Sequence, residues 1–281
     1  MDSKNKKYSS QDGVLFNKNK TKLLYYPYGK KQTKYTVPSG VKSIGDYAFE
    51  EAGHLTNVIL PYSVEKIGKC AFMDTCENIT IFNKNCKINF NKKNINEEPI
   101  GPHLSYWTGF TPNICIYGYK GSTIETYVKT WKKYVKKNQY CRGDTSSMCF
   151  IELDIDDCDH QYERTVTKAT CDTNGLVTKK CSICGHVDNK VLYSPKEFLL
   201  SVIEFTYTGQ AIEPSVIVKD SQGEIISDSN YDITYINNIN VGQASVVITF
   251  KNDYSGTNTI KFEIKEAMTG QVSTGAGIKQ L

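Results

Sequence analysis

"VPSGVKSIGDYAFEEAGHLTNVI", Val37 to Ile59, and "LPYSVEKIGKCAFMDTCENITIF", Leu60 to Phe82, are one pattern written twice at a period of 23 residues. Pro38 answers to Pro61, Val41 to Val64, Ile44 to Ile67, Gly45 to Gly68, and Ala48-Phe49 to Ala71-Phe72. Beyond that point the register slips by one residue, with Leu55 answering best to Ile79. A unit this short cannot bury its own apolar face. It must stack on neighbours so that the fixed apolar positions form one continuous core, and the expected product is a solenoid. In each unit "LTNVIL" or "ITIF" reads as a strand, Pro and Gly mark turns, and Phe49 and Phe72 are expected to form an inward aromatic ladder.

The recurrence of proline, glycine and Ala-Phe in this order resembles the BspA-like leucine-rich repeats of bacterial surface antigens. The flanks agree with that resemblance. "DGVLFNKNKTKLLYYPYG" (Asp12 to Gly29) is similar to the hairpin that often precedes such repeats, and "CIYGYKGSTIETYVKTW" (Cys115 to Trp131) to the segment that often closes them. The closing segment can also be read directly. Ser122 with Glu125 three residues on forms a capping box, and Ile124, Tyr127, Val128, Trp131, Tyr134 and Val135 follow at helical spacing. The pattern predicts a helix over 123–137 that lays an apolar stripe on the open end of the solenoid. Lys132, Lys133, Lys136 and Lys137 fall in its last turns, where the helix dipole favours cations.

Between repeats and helix, 83–113 is irregular and reads as a diverged repeat with an insertion. Its aromatic residues Tyr106, Trp107 and Phe110 are candidates for a contact surface, because loops on rigid scaffolds often carry binding residues. The stretch 141–157 is polar and acidic and reads as a linker or an extended strand.

A cysteine module follows, over 158–194. "RTVTKATC", "GLVTKKC" and "HVDNKVLY" are short alternating segments typical of strands. They carry His160, Cys171, Cys181 and Cys184, the last two in "CSICGH". A C-x2-C turn closed by glycine aims two thiolates at one ion, and a second pair completes a tetrahedral set. A redox pair would open a helix in a βαβ setting, and iron–sulfur clusters ordinarily take four cysteines. One His and three Cys therefore favour structural zinc, which would also stabilise a segment too small to build its own core. The module resembles zinc-ribbon-like modules of Gram-positive surface proteins through His160-x-Tyr162, Ala169-Thr170-Cys171, Gly175 and Cys181-x-x-Cys184-Gly185. It departs from them after the last strand, where "YSPKEF" replaces a further Gly-His. That departure leaves Cys158 and His186 as substitutes for one ligand, with His160 ranked first.

From 195 to 267 the sequence alternates apolar and polar residues in strands separated by Gly and Asn turns, as a small β-sandwich requires. "YTGQAIEPSVIVKD" and "DSNYDITYINNINVGQASVVITF" resemble bacterial immunoglobulin-like repeats. The last residues, 268–281, read as a flexible tail. The expected architecture is mainly β and multidomain: repeat solenoid with capping helix over 1–140, linker, zinc-ribbon-like module, immunoglobulin-like sandwich and tail.

Of 281 residues, 39% are hydrophobic and 23% charged, and no apolar run approaches the ~20 needed to span a bilayer. The net charge of +4 is spread along the chain, so neither nucleic acid nor membrane insertion is expected. No nucleophile has an identifiable base, which argues against an enzyme. The resemblances together imply a noncatalytic cell-surface or secreted binding and adhesion protein, its signal peptide already removed, with a protein or glycan ligand on a host, a neighbouring cell or the matrix. The alternative is a noncatalytic accessory region of a larger exported peptidase or glycosidase.

Overall fold

The computed structural model describes residues 5–73, 75, 77–88, 98–101, 114–138 and 148–267. The candidate contact residues Tyr106, Trp107 and Phe110 lie outside these. The fold is mainly β, with a single α-helix among the described residues. Two compact units emerge: Met1–Glu163 with Lys180–Val187, and Arg164–Lys179 with Asp188–Leu281. Where three modules were expected, the residues of the cysteine module are divided between the two units.

The first unit begins with strands β1 (Tyr8–Gln11), β2 (Val14–Asn17) and β3 (Lys22–Tyr25), an antiparallel meander. Asp12 and Gly13, both at positive φ, make the two-residue turn between β1 and β2, a conformation for which Asp-Gly is well suited. Strands β4 (Lys34–Thr36), β5 (Ser43–Ile44), β6 (Asn57–Leu60), β7 (Lys66–Ile67), β8 (Phe72–Met73) and β9 (Asn78–Ile81) are the coils of the solenoid. Strands β10 (Ile100–Gly101) and β11 (Ile114–Gly118), helix α1 (Thr123–Asn138) and β12 (Met148–Glu152) complete the unit. One sheet runs β1-β2-β3-β5-β7, and a second, wholly parallel sheet runs β12-β11-β9-β6-β4.

The parallel register explains the repeat. Tyr35, Val58, Ile79, Ile116 and Phe150 stand in one row across the second sheet, and Ile44 faces Ile67 across the other. Between the sheets Phe49 stacks on Phe72 at 4.9 Å and 10°, with Tyr26 at 5.5 Å from Phe49, so the expected ladder forms and is longer than the two repeats alone. The slip after Phe72 runs the other way from the sequence alignment. Val58, not Leu55, pairs with Ile79, because the second coil is two residues shorter between its phenylalanine and its strand. The third coil substitutes Ile100 for phenylalanine, pairing it with Phe72.

Coils touch backbone to backbone at the repeated glycine. A Cβ on Gly68 would lie 2.6 Å from the carbonyl carbon of Gly45 and 2.6 Å from the Asp46 nitrogen. The next turn places Tyr47 and Cys70, equivalent residues, at positive φ. Helix α1 starts where predicted: Ser122 Oγ accepts from the Glu125 N–H, and Glu125 Oε2 accepts from the Gly121 N–H at 2.7 Å. Ile124, Tyr127, Val128, Trp131 and Val135 are buried in the solenoid core, while Tyr134 is half-buried. Burying each such side chain contributes about 1.5–3 kcal/mol.

The expected linker contains β12, which extends the parallel sheet. A disulfide joins Cys149 to Cys115 on β11 directly opposite. Strands β13 (Tyr162–Thr167), β14 (Gly175–Cys181) and β15 (Val187–Leu192) form a three-stranded sheet. In the second unit, β16 (Pro195–Leu200) pairs with β18 (Val216–Asp220), and β17 (Glu204–Thr206), β21 (Thr257–Lys265), β20 (Gly242–Phe250) and β19 (Tyr231–Ile236) make a four-stranded sheet in that order. Val218 from the small sheet and Val246, Ile248, Phe250, Phe262 and Ile264 from the large one share a single core.

Candidate metal centre

Cys158, His160, Cys181 and Cys184 converge, their ligand atoms all within 4.8 Å of one another. Cys158 Sγ is 3.8 Å from Cys181 Sγ, and Cys184 Sγ is 3.3 Å from His160 Nδ1. Zinc–sulfur bonds of ~2.3 Å and zinc–nitrogen bonds of ~2.0 Å imply tetrahedral edges of about 3.8 Å between sulfurs and about 3.5 Å between sulfur and nitrogen. The four atoms therefore already span a site of that size, and the set could hold a metal ion.

Local sequence builds the arrangement. Cys181 ends β14, and the chain turns back at once. The Gly185 N–H donates to the Cys181 carbonyl, and the Cys181 N–H donates to the His186 carbonyl. Gly185 adopts φ +77°, and a Cβ there would meet the Tyr62 ring at 2.8 Å. Inside the turn, the Ile183 and Cys184 N–H groups point at Cys181 Sγ at 3.4 Å, and the His186 N–H points at Cys184 Sγ at 3.5 Å. Burial alone raises the Cys181 thiol, but the Cys184 N–H, His160 and the Ile183 and Gln161 N–H groups bring it down to about 6. Burial pushes Cys158 and Cys184 up, and for Cys158 the two neighbouring sulfurs add to the effect.

The turn is fixed to the solenoid. The Tyr62 N–H donates to the Ile183 carbonyl at 2.7 Å, the Ser182 N–H donates to the Gln161 carbonyl, and Lys180 Nζ lies 4.7 Å from the Tyr62 ring centre. Phe82, Leu153, Cys158, Cys181 and Cys184 form one buried cluster, with Tyr62, Tyr117 and Tyr119 packed against it. Burial and the nearby thiols push the Tyr119 hydroxyl up to about 12.

The structure thus brings together three of the four residues expected from the sequence and replaces the fourth. Cys171 is outside the cluster; it belongs to the second unit and packs against that unit's core. The reason is strand length. Cys171 precedes β14, whose seven extended residues carry the chain on to Cys181 at its end. Cys158, two positions before His160, takes its place. His186 stays near the site, its ring 5.6 Å from that of His160, and is not part of the set.

These features define a repeat solenoid of parallel coils with a Cys/His cluster beside it, and part of the chain is similar to known repeat proteins. Residues 25–97 match the BspA type leucine rich repeat region, in six copies. Among solved structures, the chain is similar to a leucine-rich repeat protein from Eubacterium ventriosum, at 35% identity over 30% of this chain and 26% of that one, with a TM-score of 0.27. It is also similar to the pneumococcal vaccine antigen PcpA, at 18% identity over 55% of this chain and 49% of that one, with a TM-score of 0.24. The chain therefore spans about a quarter of the first and half of the second. No curated protein matches it. No helix among the described residues is long and apolar enough to cross a membrane.

Proposed function

We propose that this chain is a noncatalytic binding and adhesion protein, exported to a bacterial cell surface or secreted. The solenoid serves as its recognition element, and the two-sheet second unit is an immunoglobulin-like spacer. The BspA type repeat region carries this reading. Zinc at Cys158, His160, Cys181 and Cys184 is structural: four protein ligands leave no open position for an activated water. The partner is a protein or glycan of a host, a neighbouring cell or the matrix.

Two measurements test this reading. Antibody raised to the chain should label intact, unpermeabilised cells of the producing bacterium or appear in the medium, and the purified chain should bind immobilised matrix proteins or glycans saturably. Labelling only after permeabilisation, with no saturable binding, would refute it.

A further inference from the structure

Within the first unit, the outer face of the parallel sheet carries a cleft of about 560 Å³. Its floor holds the row Thr36, Ile59, Thr80, Tyr117 and Ile151, one residue from each strand in register. One wall is the segment that supplies the metal ligands: Asp157, Cys158, Asp159 and Gln161, with Ile183 from the C-x2-C turn. Cys158 is thus both a ligand and part of the wall.

The charges of the lining are one-sided. Glu152, Asp157 and Asp159 face one lysine, Lys34 at the far strand, in a chain whose net charge is +4. Glu152 and Asp159 are exposed and pair with no cation among the described residues. Asp157 is partly engaged, its carboxylate accepting the Asp154 N–H at 2.6 Å. The floor is mixed, with Ile59, Thr80 and Tyr117 half-buried and Thr36 and Ile151 exposed at its two ends. Five strands at ~4.8 Å span about 19 Å, the length of about six extended residues at ~3.3 Å each.

We infer that this cleft binds an extended polypeptide segment of about six residues that alternates basic and apolar side chains, the apolar ones on the sheet and the basic ones against the acidic wall. This rests on the solenoid being the recognition element and names its partner class. The metal clasp, by supplying the wall, is what gives the sheet its charge selectivity.

The test uses the zinc-loaded full chain and two fluorescein-labelled hexapeptides, Lys-Leu-Lys-Tyr-Lys-Leu and its Glu-for-Lys counterpart, read by anisotropy. Saturable binding of the basic peptide, at least tenfold tighter than the acidic one, is expected. Ile151→Arg, which fills the cleft from an exposed position, should weaken it at least tenfold, and Glu152→Gln with Asp159→Asn severalfold. Zinc content and circular dichroism should be unchanged in both variants. Equal binding of the two peptides, or binding of chitohexaose with neither peptide bound, overturns the inference. A charge preference that survives Ile151→Arg overturns the cleft as its location while leaving surface adhesion standing. Cell-surface labelling is independent of every one of these outcomes.

Discussion

Gly68→Ala should destabilise the solenoid although alanine is ordinarily the better residue in a chain with no need of positive φ. The gain from stiffening the unfolded chain is about 0.4–1 kcal/mol. Against it stands the space: a Cβ at Gly68 would approach Asp46 Oδ1 to 2.4 Å and the backbone of Gly45 and Asp46 to 2.6 Å. The carboxylate can rotate, at the expense of its bond from the Lys69 N–H, but the backbone contacts can be relieved only by separating two coils. Overpacking of this kind costs about 1–3 kcal/mol, so the net loss should centre on about 1.3 kcal/mol and reach about 2.6 kcal/mol at most. Gly45→Ala meets its nearest atom, the Leu23 carbonyl oxygen, at 3.0 Å and should cost less. Gly40→Ala meets nothing within 4 Å and should be neutral or stabilising. Urea unfolding followed by tryptophan fluorescence, with Trp131 buried on the inner face of α1, measures all three against the wild type. A Gly68→Ala protein as stable as the wild type would refute backbone contact as the reason for glycine at this repeat position.

Elemental mass spectrometry should find about one zinc ion per chain in wild type and in Cys171→Ser, and almost none in Cys158→Ser. The reverse pattern would restore Cys171 as the ligand. Gly185→Ala, strained by its positive φ and by the Tyr62 ring, should raise the zinc dissociation constant roughly tenfold in competition with a chromogenic chelator. The Glu125 carboxyl is held below its ordinary range, first by the Lys129 side chain and then by the Gly121 N–H. A carboxyl depressed in the folded state contributes stability at neutral pH that is lost as pH falls through its folded pKa. The melting temperature of Glu125→Gln should accordingly lie below that of wild type near neutrality, with the gap closing on acidification.

The solenoid was legible because proline, glycine and Ala-Phe each mark a fixed point of the coil and recur with its period. The helix was legible for the same local reason, a cap followed by one apolar stripe. What escaped depends on partners distant in sequence. Matching Leu55 to Ile79 followed residue type, whereas the sheet follows position, and a coil shortened by two residues moves the match to Val58. The stretch holding β12 reads in isolation as a linker or an extended strand, and the open edge of β11 decides for the strand. The clasp was legible in its C-x2-C half, where the turn chemistry is local. Its other half rested on counting cysteines, which ignores the strand "GLVTKKC" lying between Cys171 and Cys181; the residues that converge include Cys158 and not Cys171.

The disulfide on the parallel sheet gives the chain a schedule. Cys115 and Cys149 both emerge from the ribosome before Cys158, the first of the four clustered residues. Pairing of β11 with β12 brings those two residues face to face without any of the four clustered ones. Once Cys149 is committed, it can no longer compete for the thiols that follow. Those thiols complete their set only when Cys184 arrives, so closing the disulfide and assembling the cluster that could hold a metal ion are separated by the order of the residues themselves.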